Sequence, residues 1–179
     1  MSSDNQKILS AAGFAARKHS TQRRKDVEAS PYINHPLGVA ELLTSIGGVE
    51  DTDVLCAALL HDTVEDTETT LEELEREFGP TISNIVSEVS DDKSLPKLER
   101  KRQQVEKASK ISHQAKLVKL ADKICNLRDI ATTPPVDWGL SRRQEYFEWA
   151  KEVVDLMRGT NLDLETTFDN VYKQKPKGD

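Results

Sequence analysis

Apolar residues recur along this chain at spacings of three and four, and nowhere do they alternate with a period of two. The pattern therefore predicts an all-α fold. Ile8, Leu9, Ala12, Ala15 and Ala16 draw the apolar face of a first helix over about 4–19. A second helix starts with Asn34 as N-cap and Pro36 in its first turn, and stops at Gly47-Gly48. The third begins near Asp51 and includes the apolar run 54–60, which has no polar side and so marks a central, buried helix. Thr70 and Glu73 predict a capping box for a short helix ending at Gly79-Pro80. Ile82, Ile85, Val86 and Val89 mark the next helix, and Pro96 opens a strongly basic one. From about Ser112 a long helix carries Ala115, Val118, Ala121, Cys125 and Ile130 inward. The stretch TTPPVDWG reads as a turn. Ser141 and Gln144 predict a second capping box, for a helix to about Arg158. A last helix over 161–173 keeps Leu164, Phe168, Val171 and Tyr172 inward.

Two segments fall outside this periodicity. The polar stretch 20–34 exceeds the ~12 residues of most connections in compact domains, and loops of that length are usually functional or disordered. The tail 174–179 is expected to fray. With neither repeats nor a linker rich in Pro, Gly or Ser, the chain reads as one domain over 1–179.

Composition narrows the function classes. A chain of 179 residues can bury roughly 70% of its unfolded surface. It needs no disulfide or structural metal merely to fold, and Cys56 and Cys125, both inside apolar helical patterns, read as reduced thiols. The longest apolar run is seven residues, far short of the ~20 of a membrane span. The start MSSDNQ lacks the basic and apolar regions of a secretory signal, so a cytoplasmic protein is expected. The net charge of −6 and a pI near 5.3 argue against general affinity for nucleic acid or anionic membrane. An anionic ligand must be met by local cations. Three clusters offer them: Arg23, Arg24 and Lys25; Lys93 and Lys97; Arg142 and Arg143.

The chemistry concentrates where the buried third helix ends in His61-Asp62 and continues TVED. If helical geometry persists, Asp62 and Asp66 are i,i+4 neighbours, as are His61 and Glu65. Three acids and a histidine then crowd about one turn, at a helix C-terminus that disfavours negative charge. A divalent cation resolves that cost, because its charge inverts the local electrostatics. By pattern alone His35 and Asp122 fit ligation and structural hydrogen bonding equally well. His19 and His113 read as hydrogen-bonded structural residues.

SPYINHPLGVAELL, AALLHDTVEDT and KLVKLADKICNLRDI, in that order, resemble the HD phosphohydrolase superfamily and, within it, the hydrolase domain of the RelA/SpoT alarmone enzymes. LPKLERKR, RQEYFEWA and the short length are similar to the stand-alone animal branch, with no room for synthetase or regulatory domains. The resemblance implies a compact helical HD-domain fold in which His35, His61, Asp62 and Asp122 bind one manganese ion. Such an N₂O₂ ligand set leaves positions open for water and a phosphoryl oxygen, and also suits iron, cobalt or zinc in vitro. By the same resemblance, Glu65 and Asp66 activate the water that cleaves the 3′-pyrophosphate of guanosine 3′,5′-bis(diphosphate). Arg24, Lys25 and Lys97, with Arg142 behind them, would hold phosphates. Tyr32 and Tyr146 would face base or ribose, and Asn126 ribose or phosphate. The chain departs from the bacterial pattern at Ala29-Ser30, where a glycine usually precedes PYI. One rival reading is a phosphatase removing the ribose 2′-phosphate of NADPH. The other is a non-catalytic nucleotide-binding regulator, against which the intact H…HD…ED…D set argues. The oligomeric state is not set by the sequence.

Overall fold

The computed structural model describes residues 3–178, and among them ten α-helices and no strand. The helices are α1 (Asp4–Lys18), α2 (Asn34–Ser45), α3 (Thr52–Leu60), α4 (Thr63–Asp66), α5 (Leu71–Phe78), α6 (Pro80–Val89), α7 (Lys97–Ala108), α8 (His113–Thr132), α9 (Leu140–Asp155) and α10 (Leu162–Tyr172). Every residue of the run 54–60 is buried, because α1, α2, α6 and α8 all pack on α3. The Asp51 carboxylate starts α3 by accepting from the backbone N–H groups of Asp53 and Val54 at 2.9 and 3.4 Å. Around this axis α5 packs on α6, α10 on α8, and α9 on both α7 and α8. None of the described helices is long and apolar enough to cross a membrane.

Several local expectations change. In α1 the inward face is Ile8, Ala11, Ala12, Phe14 and Ala15, with the Phe14 and Phe78 rings edge to face at 5.3 Å. Leu9 is 72% exposed and Ala16 is exposed too. Asn34 is the first helical residue of α2 rather than its cap; Ile33 caps the helix with no side-chain bond. Thr70 does accept from the Glu73 backbone at 3.2 Å, but the Glu73 carboxylate meets Lys18. The second capping box does not form. Gly139 precedes α9, the Ser141 hydroxyl donates to Glu145, and the Gln144 amide donates to the Pro176 carbonyl at 2.9 Å. That last bond, with a Lys175–Glu148 ion pair, pins the tail expected to fray; Asp179 lies outside the described residues.

The stretch between α1 and α2 folds back on itself. An isolated bridge joins Arg23 to Pro31, and the Arg24 N–H donates to the Ser30 carbonyl at 2.8 Å. At its tip the Asp26 carboxylate takes both the backbone N–H and the hydroxyl of Ser30, which hold the Asp26 carboxyl below its usual range. This closure puts Ala29 at φ +48°, a left-handed conformation that costs a residue with a Cβ about 1–2 kcal/mol. The departure from glycine noted in the sequence is thus a strained position. Ala29→Gly is expected to stabilise the protein by about 0.5–1 kcal/mol, after subtracting glycine's greater unfolded-state freedom. Thermal melting should show a rise of roughly 1–4 °C; a lowered midpoint would show that the turn tolerates alanine without strain.

Candidate active site

α3 ends at Leu60, not beyond. The Thr63 hydroxyl donates to the Leu60 carbonyl at 2.7 Å, and Asp62 sits at φ −96°, ψ −4° as the helix breaks and restarts as α4. The break leaves His61 and Asp62 at the end of the buried axis. There they meet His35 from the first turn of α2 and Asp122 from the middle of α8. His35 Nε2 lies 3.0 Å from Asp122 Oδ1 and 3.8 Å from Asp62 Oδ2. His61 Nε2 lies 3.1 Å from Asp62 Oδ2 and 3.6 Å from Asp122 Oδ1. One ligand atom each from His35, His61 and Asp62 falls within 4.8 Å of the others.

The tautomer of His61 follows from its neighbour. Nδ1 faces the Ala58 carbonyl at 2.7 Å, and a carbonyl only accepts, so the proton is on Nδ1. The lone pair on Nε2 then faces two carboxylates, and this buried atom has no hydrogen-bond partner among the described residues. Only a proton or a cation relieves that arrangement. Burial works against a protonated His61, but Asp62 and Asp122 outweigh it and raise its pKa well above the ordinary range. Burial likewise opposes a charged Asp122, yet Lys123 and the two imidazoles hold it well below the usual carboxylate range. Two nitrogens and two carboxylates with this charge balance fit a divalent metal.

Tyr32 and Asn126 touch this cluster directly. The Tyr32 hydroxyl donates to Asp62 Oδ2 at 2.6 Å, and the Asn126 amide donates to Asp122 Oδ1 at 2.7 Å. Burial and the charge of Asp62 raise the Tyr32 phenol, which keeps it a donor.

Glu65 and Asp66, adjacent on α4, meet different surroundings. Glu65 Oε2 accepts from the Asp91 backbone at 3.1 Å, with Arg100 Nη1 3.8 Å from Oε1. Burial, then the charges of Asp91 and Asp62, pushes the Glu65 carboxyl up to about 7. Asp66 instead pairs with Lys93 and accepts from the Gln22 amide at 3.3 Å. Gln22 is oriented in turn by the buried His19, whose Nδ1 lies 2.6 Å from its oxygen. His19 thus has a structural role, as expected; His113 is exposed at the start of α8.

The cluster lines a chamber of about 170 Å³. It shares Tyr32, His35, Asp66, Asn126 and Tyr146 with a larger cleft of about 650 Å³. Arg24, Lys25 and Arg128 line that cleft, with Arg24 paired to Asp129 and lying over the Tyr32 ring at 5.6 Å. Lys97 and Arg142 are not among its lining residues. They lie over the Trp138 ring at 5.6 and 4.3 Å, and Trp138 itself is a wall of the cleft. Burial and the nearby Arg142 and Lys25 lower the Lys97 pKa. Tyr146 sits between Trp138 and Trp149, with centroids 5.6 and 5.1 Å away, and burial pushes its phenol up to about 12. The sequence reading passed over Gln22, Trp138, Trp149 and Arg100. Trp138 and Trp149 are flanked by acidic and small residues in VDWG and FEWA, so the sequence carried no signal for the two tryptophans.

Comparison with known proteins places the chain in a family and gives it a matching fold. Residues 11–144 match the family described as HD domain. The chain is 61% identical over 172 residues to guanosine-3′,5′-bis(diphosphate) 3′-pyrophosphohydrolase MESH1 of Xenopus tropicalis, covering 96% of each chain. It is 58% identical over 175 residues to the protein of the same name from Homo sapiens, covering 98% of each. A solved structure described as "A metazoan ortholog of SpoT hydrolyzes ppGpp and plays a role in starvation responses" superposes with a TM-score of 0.92 at 50% identity, covering 94% of each chain.

Proposed function

The chain belongs to the HD-domain family, and we propose that it is a single-domain, manganese-dependent 3′-pyrophosphohydrolase of guanosine 3′,5′-bis(diphosphate). The products would be GDP and pyrophosphate, or GTP and pyrophosphate from the pentaphosphate. One observation carries the reading: a cluster of two histidines and two aspartates opens on a cleft lined by cations, with two further carboxylates beside it. The family relatives named for this activity support the substrate.

His35, His61, Asp62 and Asp122 would hold the ion, which when bound polarises a phosphoryl oxygen and acidifies a water. Tyr32 and Asn126 orient two of those ligands by their hydrogen bonds to Asp62 and Asp122. Asp66, held by Lys93 and Gln22, would accept the proton of the attacking water. Glu65, at about 7, holds a proton part of the time at neutral pH and so can also give one up. Free thiols at Cys56 and Cys125 support the cytoplasm as the compartment.

The test is turnover by metal-loaded protein on a panel of ribose-phosphorylated nucleotides, including the bis(diphosphate) and NADPH. The bis(diphosphate) should give the highest kcat/KM. A higher value on NADPH would replace this reading with the 2′-phosphatase, and no turnover on any member would favour a binding regulator.

Phosphate contacts give a graded prediction. Charge-assisted contacts are worth about 1.5–3 kcal/mol, so Lys25→Ala should lower kcat/KM roughly 10- to 150-fold, chiefly through KM. Arg24→Ala should act similarly, with some loss of order because it also frees Asp129. Lys97→Ala and Arg142→Ala should do less, since neither lines the cleft and both engage the Trp138 ring. Added salt should shrink all four effects. Steady-state kinetics at two ionic strengths decides it: equal KM values for wild type and Lys25→Ala would reduce that lysine to surface charge.

A further inference from the structure

Two lysines of α8 lie where a soluble helix rarely puts them. Lys119 and Lys123 are one turn apart, 8% and 3% exposed, and both line the small chamber that holds the metal-facing cluster. A buried ammonium is normally paired with an anion, and each has three donors to satisfy. Lys123 is partly accounted for, with Asp122 Oδ2 at 3.3 Å and the Trp149 ring at 4.4 Å. Lys119 is not. It makes one hydrogen bond, 2.7 Å to the Val89 carbonyl, and has no carboxylate within ion-pair distance among the described residues. Burial, then the like charge of Lys123, lowers its pKa, a cost that an arriving anion would remove.

The chamber has room for such an anion. At about 170 Å³ it exceeds several times the ~30 Å³ that one water occupies in the liquid. It is separate from the wall of the larger cleft where Arg24 and Lys25 stand. A 3′-pyrophosphate held at the metal-facing cluster carries one phosphoryl group to be attacked and a second beyond it. Lys119 and Lys123 are the buried cations that the chamber offers to the second.

We propose that Lys119 and Lys123 form an anion seat for the distal phosphoryl group, which makes the chamber selective for a ribose-linked pyrophosphate over a ribose monophosphate. This rests on the function proposed above. On release the same seat would hold the pyrophosphate product, whose two phosphoryl groups span the metal-facing cluster and the lysines.

The probes are inorganic pyrophosphate and orthophosphate, titrated by calorimetry into the metal-loaded protein. Lys119→Gln keeps a donor for the Val89 carbonyl and removes the charge; Lys123→Gln is an independent second variant, with metal content measured because Asp122 is its neighbour. Each variant that retains metal should bind pyrophosphate roughly tenfold or more weakly, while orthophosphate affinity changes far less. Unchanged pyrophosphate affinity in both variants overturns the seat. So does an equal loss for both anions, which would mean a general field rather than a second site. The functional reading fails separately: wild-type protein that does not turn over the bis(diphosphate), yet shows the selective loss, keeps the seat and loses that substrate.

Discussion

Asp122→Ala is expected to empty the metal centre and take turnover to background. The substitution removes a charged ligand atom that lies 3.0 and 3.6 Å from the two imidazole nitrogens. It also strips Lys123 of its only carboxylate partner among the described residues and leaves the Asn126 amide unpaired. Breaking a buried ion pair from one side costs about 3–5 kcal/mol, so the variant should melt well below wild type. Asp62→Ala should lose metal as well. Chelation of the wild-type protein should reproduce the loss of turnover, and manganese should restore it. Elemental analysis beside the kinetics is the check: full metal content in both alanine variants would remove Asp62 and Asp122 from the ligand set.

Glu65→Gln and Asp66→Asn should keep metal and nucleotide binding but lose roughly 10²–10⁴-fold in kcat, the usual worth of a positioned acid or base. Glu65→Gln should also stabilise the metal-free protein, in a pH-dependent way. The carboxyl titrates near 7 in the folded chain against 4.5 ordinarily, so folding favours its protonated form. Below pH 4.5 both states are protonated and the residue costs nothing. Between 4.5 and 7 the cost of charging it grows, and above 7 it is complete, at most about 3 kcal/mol. The variant should therefore melt several degrees higher than wild type at pH 8 and no higher at pH 4. Identical melting differences at the two pH values would show that Glu65 is not an acid strained by burial. A variant both more stable and nearly inactive is what a carboxylate retained for chemistry predicts.

The parts of the fold that sequence made plain are those where side chains leave no ambiguity. The run 54–60 has no polar face, so burial on all sides follows, and with it the position of His61-Asp62 at the end of the axis. On α1 the inward face holds Ile8, Ala12 and Ala15 as expected but not Leu9 or Ala16. Alanines at 11, 12, 15 and 16 spread over too wide an arc to fix its edge; Phe14 was the better guide. The helix expected to run through Asp62 breaks because the Thr63 hydroxyl takes the Leu60 carbonyl, a local competition that periodicity does not register. Ser141 and Gln144 matched a capping pattern, yet the cap falls two residues earlier, at Gly139, and a distant tail claims the glutamine. For the cations, position in the chain does not tell which line the cleft: Arg24 and Lys25 do. Lys97 and Arg142 lie against an indole and do not line the cleft, while Lys119 and Lys123 are buried in a stretch whose apolar residues, Asp122 and Asn126 drew the reading.

The ligand set also has a bearing on how the protein would come apart. His35 and Asp122 are 87 positions apart in the chain, so an ion held between them would act as a cross-link closing a long loop. It binds only where α2, the end of α3 and α8 are already assembled. Such an ion stabilises the native state by mass action, with a melting temperature that rises with free metal concentration. It also ties together helices that would otherwise open independently. Amide hydrogen exchange in α2 and α8 should then slow on metal loading to a common rate, while the outlying α5 keeps its own.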